Sequence, residues 1–282
     1  MSQDEPVPAA TAEQGGRNLL LRTAAAMVLA PSAIALAYIG GWPWAVLAML
    51  VAVGLLVEWF SIVGFSRDWP SIGAGAAALL ICGLALAAGR PWLALAAAAL
   101  GFAALAALGG TRRRWSMTGF VYAALALAAS ILVRADEAWG FTALMLVLLI
   151  VWVTDIGGYF AGRSIGGPKL WVRVSPKKTW AGAVGGFVLS LLVGLGFALL
   201  GFGKTVPLLI VAAVLSVVSQ LGDLFESAVK RQFGVKDSSH IIPGHGGLLD
   251  RLDGYVAAVV VAVLIGLCRD SLDGVGRGLM VW

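Results

Sequence analysis

The stretch SIGAGAAALLICGLALAAGRPWLALAAAALGFAALAALG, residues 71–109, holds one charged side chain, Arg90, in 39 positions. It reads as two apolar runs, 71–89 and 91–109, parted by Gly89-Arg90-Pro91. Each run has about the 20 residues that a helix needs to cross the hydrocarbon core of a bilayer. Outward from this pair the pattern recurs at 20–40, 43–64, 116–133, 138–162, 180–201, 206–229 and, in its shortest form, 254–269. Breakers part the runs: Gly41, Pro70, the Arg112-Arg113-Arg114 triplet, and Gly201 to Pro207. The expected fold is an all-α polytopic membrane protein of about nine transmembrane helices. A polar, disordered cytosolic tail (1–18) precedes a single transmembrane domain (19–282) with cytosolic loops at 163–179 and 230–253.

Composition agrees. The chain is 60% hydrophobic and 12% charged, with a mean hydropathy of +0.92, whereas soluble domains are roughly a quarter charged. The net charge of +5 is not a nucleic-acid signal here, because Lys and Arg in membrane proteins set orientation. With the N-terminus in the cytosol, 15 of the 20 Lys and Arg fall in inside connections. The expected topology is therefore N-terminus cytosolic and C-terminus outside. Eight tryptophans, among them Trp42, Trp92, Trp139 and Trp180, flank the runs, where an amphipathic ring suits the headgroup zone. The first run is followed by many others, so it reads as an anchor rather than a cleaved signal. Cys82 and Cys268 lie far apart in apolar runs and read as small core residues.

Ionisable groups within spans are costly and draw attention to function. Glu58, Asp155, Asp223 and Glu226 are four such groups, each toward the cytosolic end of its run. Asp223 and Glu226 share one helix side with Ser219 and Ser227. The following stretch, SAVKRQFGVKDSSHIIPGHGGLLDRLDG (227–254), concentrates Lys230, Arg231, Lys236, Asp237, His240, His245, Asp250, Arg251 and Asp253 around a glycine-rich turn. Carboxylates offer hard oxygen ligands suited to Mg²⁺, cationic side chains neutralise phosphate oxygens, and glycines let backbone N–H groups approach an anion. These are the components of a phosphoryl- or nucleotidyl-transfer site. His240 and His245 lack the company that a zinc site needs, and His245 reads as a phosphate donor or loop-ordering group. Two more segments join this group: TDIGGYFAGR (154–163), with Asp155 and Arg163, and SPKKTWAG (175–182), in which Ser175, Lys177, Lys178 and Thr179 suit an anion-binding turn. The chain contains no GxxxxGK[ST] P-loop.

Ser227, Val229, Lys230, Arg231, Lys236, Asp237, Ser239, Ile242, Pro243, His245, Gly246, Gly247, Leu248, Asp250, Arg251, Leu252 and Asp253 resemble, position for position, the signature of the phosphatidate cytidylyltransferases, or CDP-diacylglycerol synthases. TDIGGYFAGR and SPKKTW are similar to that family in content and order, and length and span number suit its bacterial members. One departure is Ala181, where family members often carry an acidic or amide residue. The resemblance implies transfer of the cytidylyl group of CTP to phosphatidate, releasing pyrophosphate, in the inner (cytoplasmic) membrane with the site facing the cytosol. It implies Mg²⁺, together with a monovalent cation such as K⁺, and CTP, phosphatidate and membrane lipid as partners; it allows a homodimer and gives no role to nucleic acid. On it, Asp223, Asp250 and Asp253 are expected at the metal. Lys230, Arg231, Lys236 and Arg251 are expected to hold phosphates with help from Lys177 and Lys178, and Asp155 to lie near the nucleotide or a second metal. Arg163, Ser175, Thr179, Ser227, Asp237, His245, Gly246 and Gly247 complete the substrate set.

Two other readings use the same residues. A CTP-dependent lipid or polyprenol kinase would transfer the γ-phosphoryl group and leave CDP. An anion transporter would use the basic vestibule without turnover, but charged residues at mid-membrane depth are lacking. The CDP-alcohol phosphotransferase pattern DGxxAR…GxxxDxxxD is absent. Replacing Asp223 or Asp250 by Asn is expected to abolish turnover in a purified-enzyme assay while the protein still inserts and folds; near-normal activity in either variant would sink the assignment.

Overall fold

The computed structural model describes residues 27–28, 30–239 and 246–282. The tail 1–18, the start of the first apolar run, His240 and His245 lie outside these residues. Helix α1 spans Ala30–Ile39. The chain continues through α2 (Gly41–Ile62), α3 (Trp69–Ala87), α4 (Pro91–Leu108), α5 (Arg113–Ala135) and α6 (Gly140–Ser164). After a short hairpin come α7 (Trp180–Leu199), α8 (Thr205–Gln232), α9 (Leu249–Leu267) and the short α10 (Val275–Met280). Among the described residues seven helices, α2 to α8, are long and apolar enough to cross a membrane. An eighth results if α9 and the helical turns after it, which bend by 120°, count as one span. The molecule is a nearly all-helical polytopic membrane protein.

Several helix ends follow from local chemistry. Pro91 opens α4 and Pro70 lies in the first turn of α3, where the missing N–H has no helical acceptor to lose. Asp68 caps α3 by accepting from Ser71 N at 3.3 Å, and Thr179 caps α7 by accepting from Gly182 N at 3.1 Å. Asp136 accepts from Ala138 N and Trp139 N at 2.9 and 2.8 Å and from Arg277 N at 3.0 Å, joining the start of α6 to α10.

The expectation of a purely α-helical chain needs one correction. Strands β1 (Lys169–Trp171) and β2 (Ser175–Thr179) form an antiparallel hairpin, with Lys169 opposite Thr179 and Trp171 opposite Ser175. SPKKT is thus a strand leading into a helix, not a free turn. Gly166 and Gly167, at φ 69° and 88°, end the helical path after α6, and Pro168 cannot donate to resume it. Strands of three and five residues are too short to leave a period-2 pattern in the sequence.

Without a hydrophobic drive between helices in lipid, close backbone approach governs association, and small residues permit it. Helices α6 and α7 meet along such a seam. A Cβ on Gly182 would stand 2.7 Å from the Gly158 carbonyl oxygen, and one on Gly157 would stand 3.1 Å from Gly186 Cα. Helices α8 and α9 meet in the same way at Gly222, where a Cβ would lie 2.6 Å from Asp253 O and 2.7 Å from Ala257 Cβ. The core between α2, α5, α6, α8 and α9 is filled by Leu55, Leu56, Phe60, Leu127, Leu144, Ile150 and Leu215, all buried. Helix α4 instead turns Trp92, Leu95 and Leu100 outward, as a lipid-facing helix does. Gly222→Val is therefore expected to wedge α9 off α8, costing about 1–3 kcal/mol. A lower melting temperature in detergent, together with lost activity, checks it.

Candidate active site

The C-terminal ends of α6 and α8 and the N-terminal ends of α7 and α9 meet at one end of the bundle, beside the hairpin. They enclose a cavity of about 730 Å³. Its walls carry five carboxylates, Asp155, Asp223, Glu226, Asp250 and Asp253, and five cations, Arg163, Lys177, Lys178, Lys230 and Arg251. Thr154, Tyr159, Thr179 and Gln220 add neutral polar groups, and Gly158, Gly162 and Gly182 lower the wall where α6 and α7 converge.

Each charged group is set by its helix. Asp155, Tyr159 and Arg163 follow one another at four-residue steps on α6, and Tyr159 Oη lies 3.0 Å from Arg163 Nη1, which donates to it. Asp223, Glu226 and Lys230 stand at i, i+3 and i+7 on α8, and Asp250 and Asp253 at i and i+3 on the first turn of α9. Gly222 brings the two acidic faces together.

Two of the wall cations form ion pairs. Lys178 at the end of β2 forms an ion pair with Asp223. Lys230 lies 2.7 Å from Asp250 Oδ1 and 2.6 Å from Glu226 Oε2. The contact with Asp250 is a hydrogen bond. The one with Glu226 is an ion pair without hydrogen-bond geometry, so both oxygens of this buried side chain lack a donor among the described residues. Asp250 has further partners: Ser238 N lies 3.2 and 3.1 Å from its two oxygens and Gly247 N 3.0 Å from Oδ2. The charges of Asp155, Asp223 and Asp253 act on one another across the cavity, with Lys178 and Arg251 acting on the group as well.

Of the residues expected at the site, Asp155, Arg163, Lys177, Lys178, Thr179, Asp223, Lys230, Asp250, Arg251 and Asp253 line the cavity. Ser227 lies behind it, donating to Asp223 Oδ1 at 3.4 Å. Arg231 donates to Val174 O at 3.4 Å and thereby ties α8 to the hairpin. Gly247 faces Asp250 through its N–H. Ser175, Lys236, Asp237 and Gly246 are not among the lining residues, and His245 is outside the described residues. Glu226, Tyr159 and Gln220 line the wall without having been assigned to it. The helical spacing of Glu226 from Asp223 and Lys230, and of Tyr159 from Asp155 and Arg163, was the available signal.

Mg²⁺ was expected here. Among the described residues no group of three or more His, Cys, Asp or Glu side chains is arranged to hold a metal ion on its own. That does not count against Mg²⁺, which commonly takes one or two carboxylates plus substrate phosphates and water rather than an all-protein cage. The donor set fits such partial ligation: Asp155, Asp223 and Asp253 are hard oxygen ligands on one cavity. Asp250 could join only by giving up its bonds to Lys230, Ser238 or Gly247.

A polytopic helical membrane protein with a charged, half-enclosed cavity at one end of its bundle defines the class: a membrane-embedded enzyme acting on phosphorylated substrates. Comparison with known proteins narrows it. Residues 20–268 match the model of the cytidylyltransferase family, and the chain belongs to that family. The phosphatidate cytidylyltransferase of Brucella suis biovar 1 (strain 1330) is 40% identical over 260 residues, covering 88% of this chain and 93% of its own. Those of Bacillus subtilis (strain 168) and Haemophilus influenzae are 44% and 43% identical over 127 and 130 residues, covering 44% of this chain in each case and 47% and 45% of their own.

Lys230 neutralises two carboxylates, so Lys230→Met would leave both without a counter-charge. Breaking a buried pair in this way costs about 3 kcal/mol or more. The variant is expected to lose activity and to melt at a lower temperature, whereas Lys177→Met, at a residue without an ion pair among the described residues, keeps its melting temperature; equal melting of Lys230→Met and the parent would overturn this account of the pair.

Proposed function

We propose that this chain is a nucleotidyltransferase that transfers the cytidylyl group of CTP to phosphatidate, giving CDP-diacylglycerol and pyrophosphate for phospholipid synthesis. The observation that carries this reading is the near full-length similarity to enzymes named for that activity. The cavity suits the reaction. A phosphatidate oxygen attacks the α-phosphorus of CTP in line, a P–O bond forms, and the bond to the β,γ-pyrophosphate breaks. A phosphate monoester is already largely ionised at pH 7, so the attack needs no strong general base.

The obstacle is repulsion between two anions. Five wall cations balanced by five wall carboxylates leave no surplus positive charge for them, and a divalent cation supplies it. We assign Asp223 and Asp253 as the carboxylates that hold Mg²⁺, with Asp155 beside them and Asp250 in reserve behind Lys230. When bound, Mg²⁺ would supply the positive charge that offsets charge developing on the pyrophosphate. Arg163, Lys177 and Lys178 on the cavity wall would hold the triphosphate, Lys178 being the cation that pairs with Asp223. Lys230 and Arg251 hold the lipid phosphate, and Arg231 steadies the hairpin that carries Lys177 and Lys178.

An apolar groove of about 360 Å³ between α5, α8 and α9, lined by Leu125, Val218, Phe225 and Val260, adjoins Gly222 and Asp253. It suits an acyl chain whose headgroup is already at cavity depth. Nine spans, an N-terminus in the cytosol, a C-terminus outside and a site open to cytosolic CTP agree with the excess of Lys and Arg on the connections at the cavity end. The bacterial relatives favour the inner membrane.

The test is a product assay with purified protein, phosphatidate, Mg²⁺ and CTP labelled in turn at the α- and γ-phosphates. Label from the α-position is expected in CDP-diacylglycerol and label from the γ-position in pyrophosphate, with EDTA stopping both. Lipid labelled from the γ-position, with CDP released, would instead make the chain a lipid kinase.

A further inference from the structure

Glu58 is fully buried on α2, a helix that contributes nothing to the cavity wall. Its carboxylate has four donors. Ser238 Oγ and Leu249 N donate to Oε2 at 2.9 and 2.7 Å, and Ser239 Oγ and Leu248 N donate to Oε1 at 2.6 and 2.8 Å. Two donors precede the 240–245 segment and two follow it. One side chain therefore ties the residues after α8 to the first turn of α9, across more than 180 positions of sequence. An ionised carboxylate is an acceptor only, so four convergent donors match it in a way that an amide or hydroxyl cannot. Hydrogen bonds to a charged acceptor are about twice as strong as neutral ones.

Two glycines show how closely the pieces fit. Gly54 lies one turn before Glu58 on α2, and a Cβ there would stand 2.8 Å from Leu248 Cδ2. A Cβ on Gly247 would stand 2.6 Å from Glu58 Oε2 and would collide with Ser238 Oγ. The clamp continues into the cavity. Ser238, held by its hydroxyl to Glu58, gives its N–H to Asp250, and Asp250 takes Lys230 Nζ at 2.7 Å. Next along α2, Trp59 stacks on Phe225 of α8 with ring centroids 6.3 Å apart, and its Nε1 donates to Trp115 O at 2.9 Å. Successive residues of α2 thus register the two helices that carry the cavity's acidic faces.

We infer that Glu58 is a positioning residue for cytidylyl transfer: it locks Ser238 and Ser239 to the start of α9 and so sets Asp250 and Lys230 in the cavity. The inference rests on the function proposed above. None of the four residues that donate to Glu58 lines the cavity, and its effect passes through Ser238.

The test compares the parent with Glu58→Gln, Glu58→Asp and Ser238→Ala, all as purified full-length protein in detergent. In Glu58→Gln an NH₂ group must face N–H or O–H donors. Amide exchange at Leu248 and Leu249 is expected to quicken about tenfold or more, the equivalent of one lost charge-assisted bond. Turnover is expected to fall about tenfold, chiefly in kcat, with little change in KM for CTP. Glu58→Asp, which keeps the charge, recovers part of both. The turnover losses of Glu58→Gln and Ser238→Ala are expected to be non-additive in the double variant, as for residues in one chain of contacts. Parent-like exchange at Leu248 and Leu249 in Glu58→Gln overturns the clamp. So does a loss of activity that follows melting temperature alone, with no recovery in Glu58→Asp. Exchange is read without substrate, so a parent protein that makes no CDP-diacylglycerol would overturn the function reading while the clamp is still judged.

Discussion

A carboxylate at the end of a membrane helix must find a cation or a set of N–H and O–H donors, because lipid and apolar side chains offer neither. Six carboxylates gather near one end of this bundle: Glu58, Asp155, Asp223, Glu226, Asp250 and Asp253. The way each is compensated accounts for most of the local structure. Glu58 is satisfied by backbone and serine donors, Asp250 by Lys230 with two backbone N–H groups, and Asp223 by Lys178. Glu226 shares Lys230 and has no hydrogen-bond donor among the described residues. Ion pairs and donors that cross from one element to the next therefore add to the small-residue seams that join the helices at this end.

This compensation divides the carboxylates by task. Those with several fixed donors, Glu58 and Asp250, tie Ser238 and Ser239 to the start of α9. Those with fewer ties can exchange partners without dismantling a helix end: Asp223, held by Lys178 and a long bond from Ser227, Asp253, with Gly254 N at 2.7 Å, and Asp155. A site that must accept two polyanions and a cation, then release pyrophosphate, needs both kinds. Fixed groups keep the geometry, and exchangeable ones let charge be redistributed with little reorganisation of the backbone.

Much of this was legible in the sequence. Apolar run length gave the helices within a few residues, because a 20-residue requirement is a strong constraint and Gly, Pro and Arg mark its limits. The 227–254 stretch exposed the site, because charge and glycine rarely concentrate beside a membrane span without purpose. The division of labour was not legible. Asp250 and Asp253 are three apart on one helix turn and equivalent to any spacing rule, yet one is bound by Lys230, Ser238 and Gly247 while the other faces Asp223. The placement of Lys230, Ser238 and Gly247 around Asp250 is what distinguishes them. The hairpin at 169–179 was missed because short strands leave no period, and Arg231 took its place at Val174 O only once that hairpin existed.

The helices that do not line the cavity still bear on the chemistry. Helices α2 and α5 lie apart from the signature in sequence and, Glu58 and the arginines at the ends of α5 aside, carry no charge, so a motif reading assigns them to the bilayer and stops there. Yet Trp59, Trp115 and Tyr122 form an aromatic group against Phe225, and Glu58 is anchored at the same depth. A signature of this kind specifies which groups react. It does not specify what holds α8 and α9 at a fixed offset while an ionic site between them changes occupant. That requirement falls on a rigid neighbour, and a tightly packed membrane helix with one buried carboxylate meets it with few residues, since every misplaced donor at that depth would remain unsatisfied.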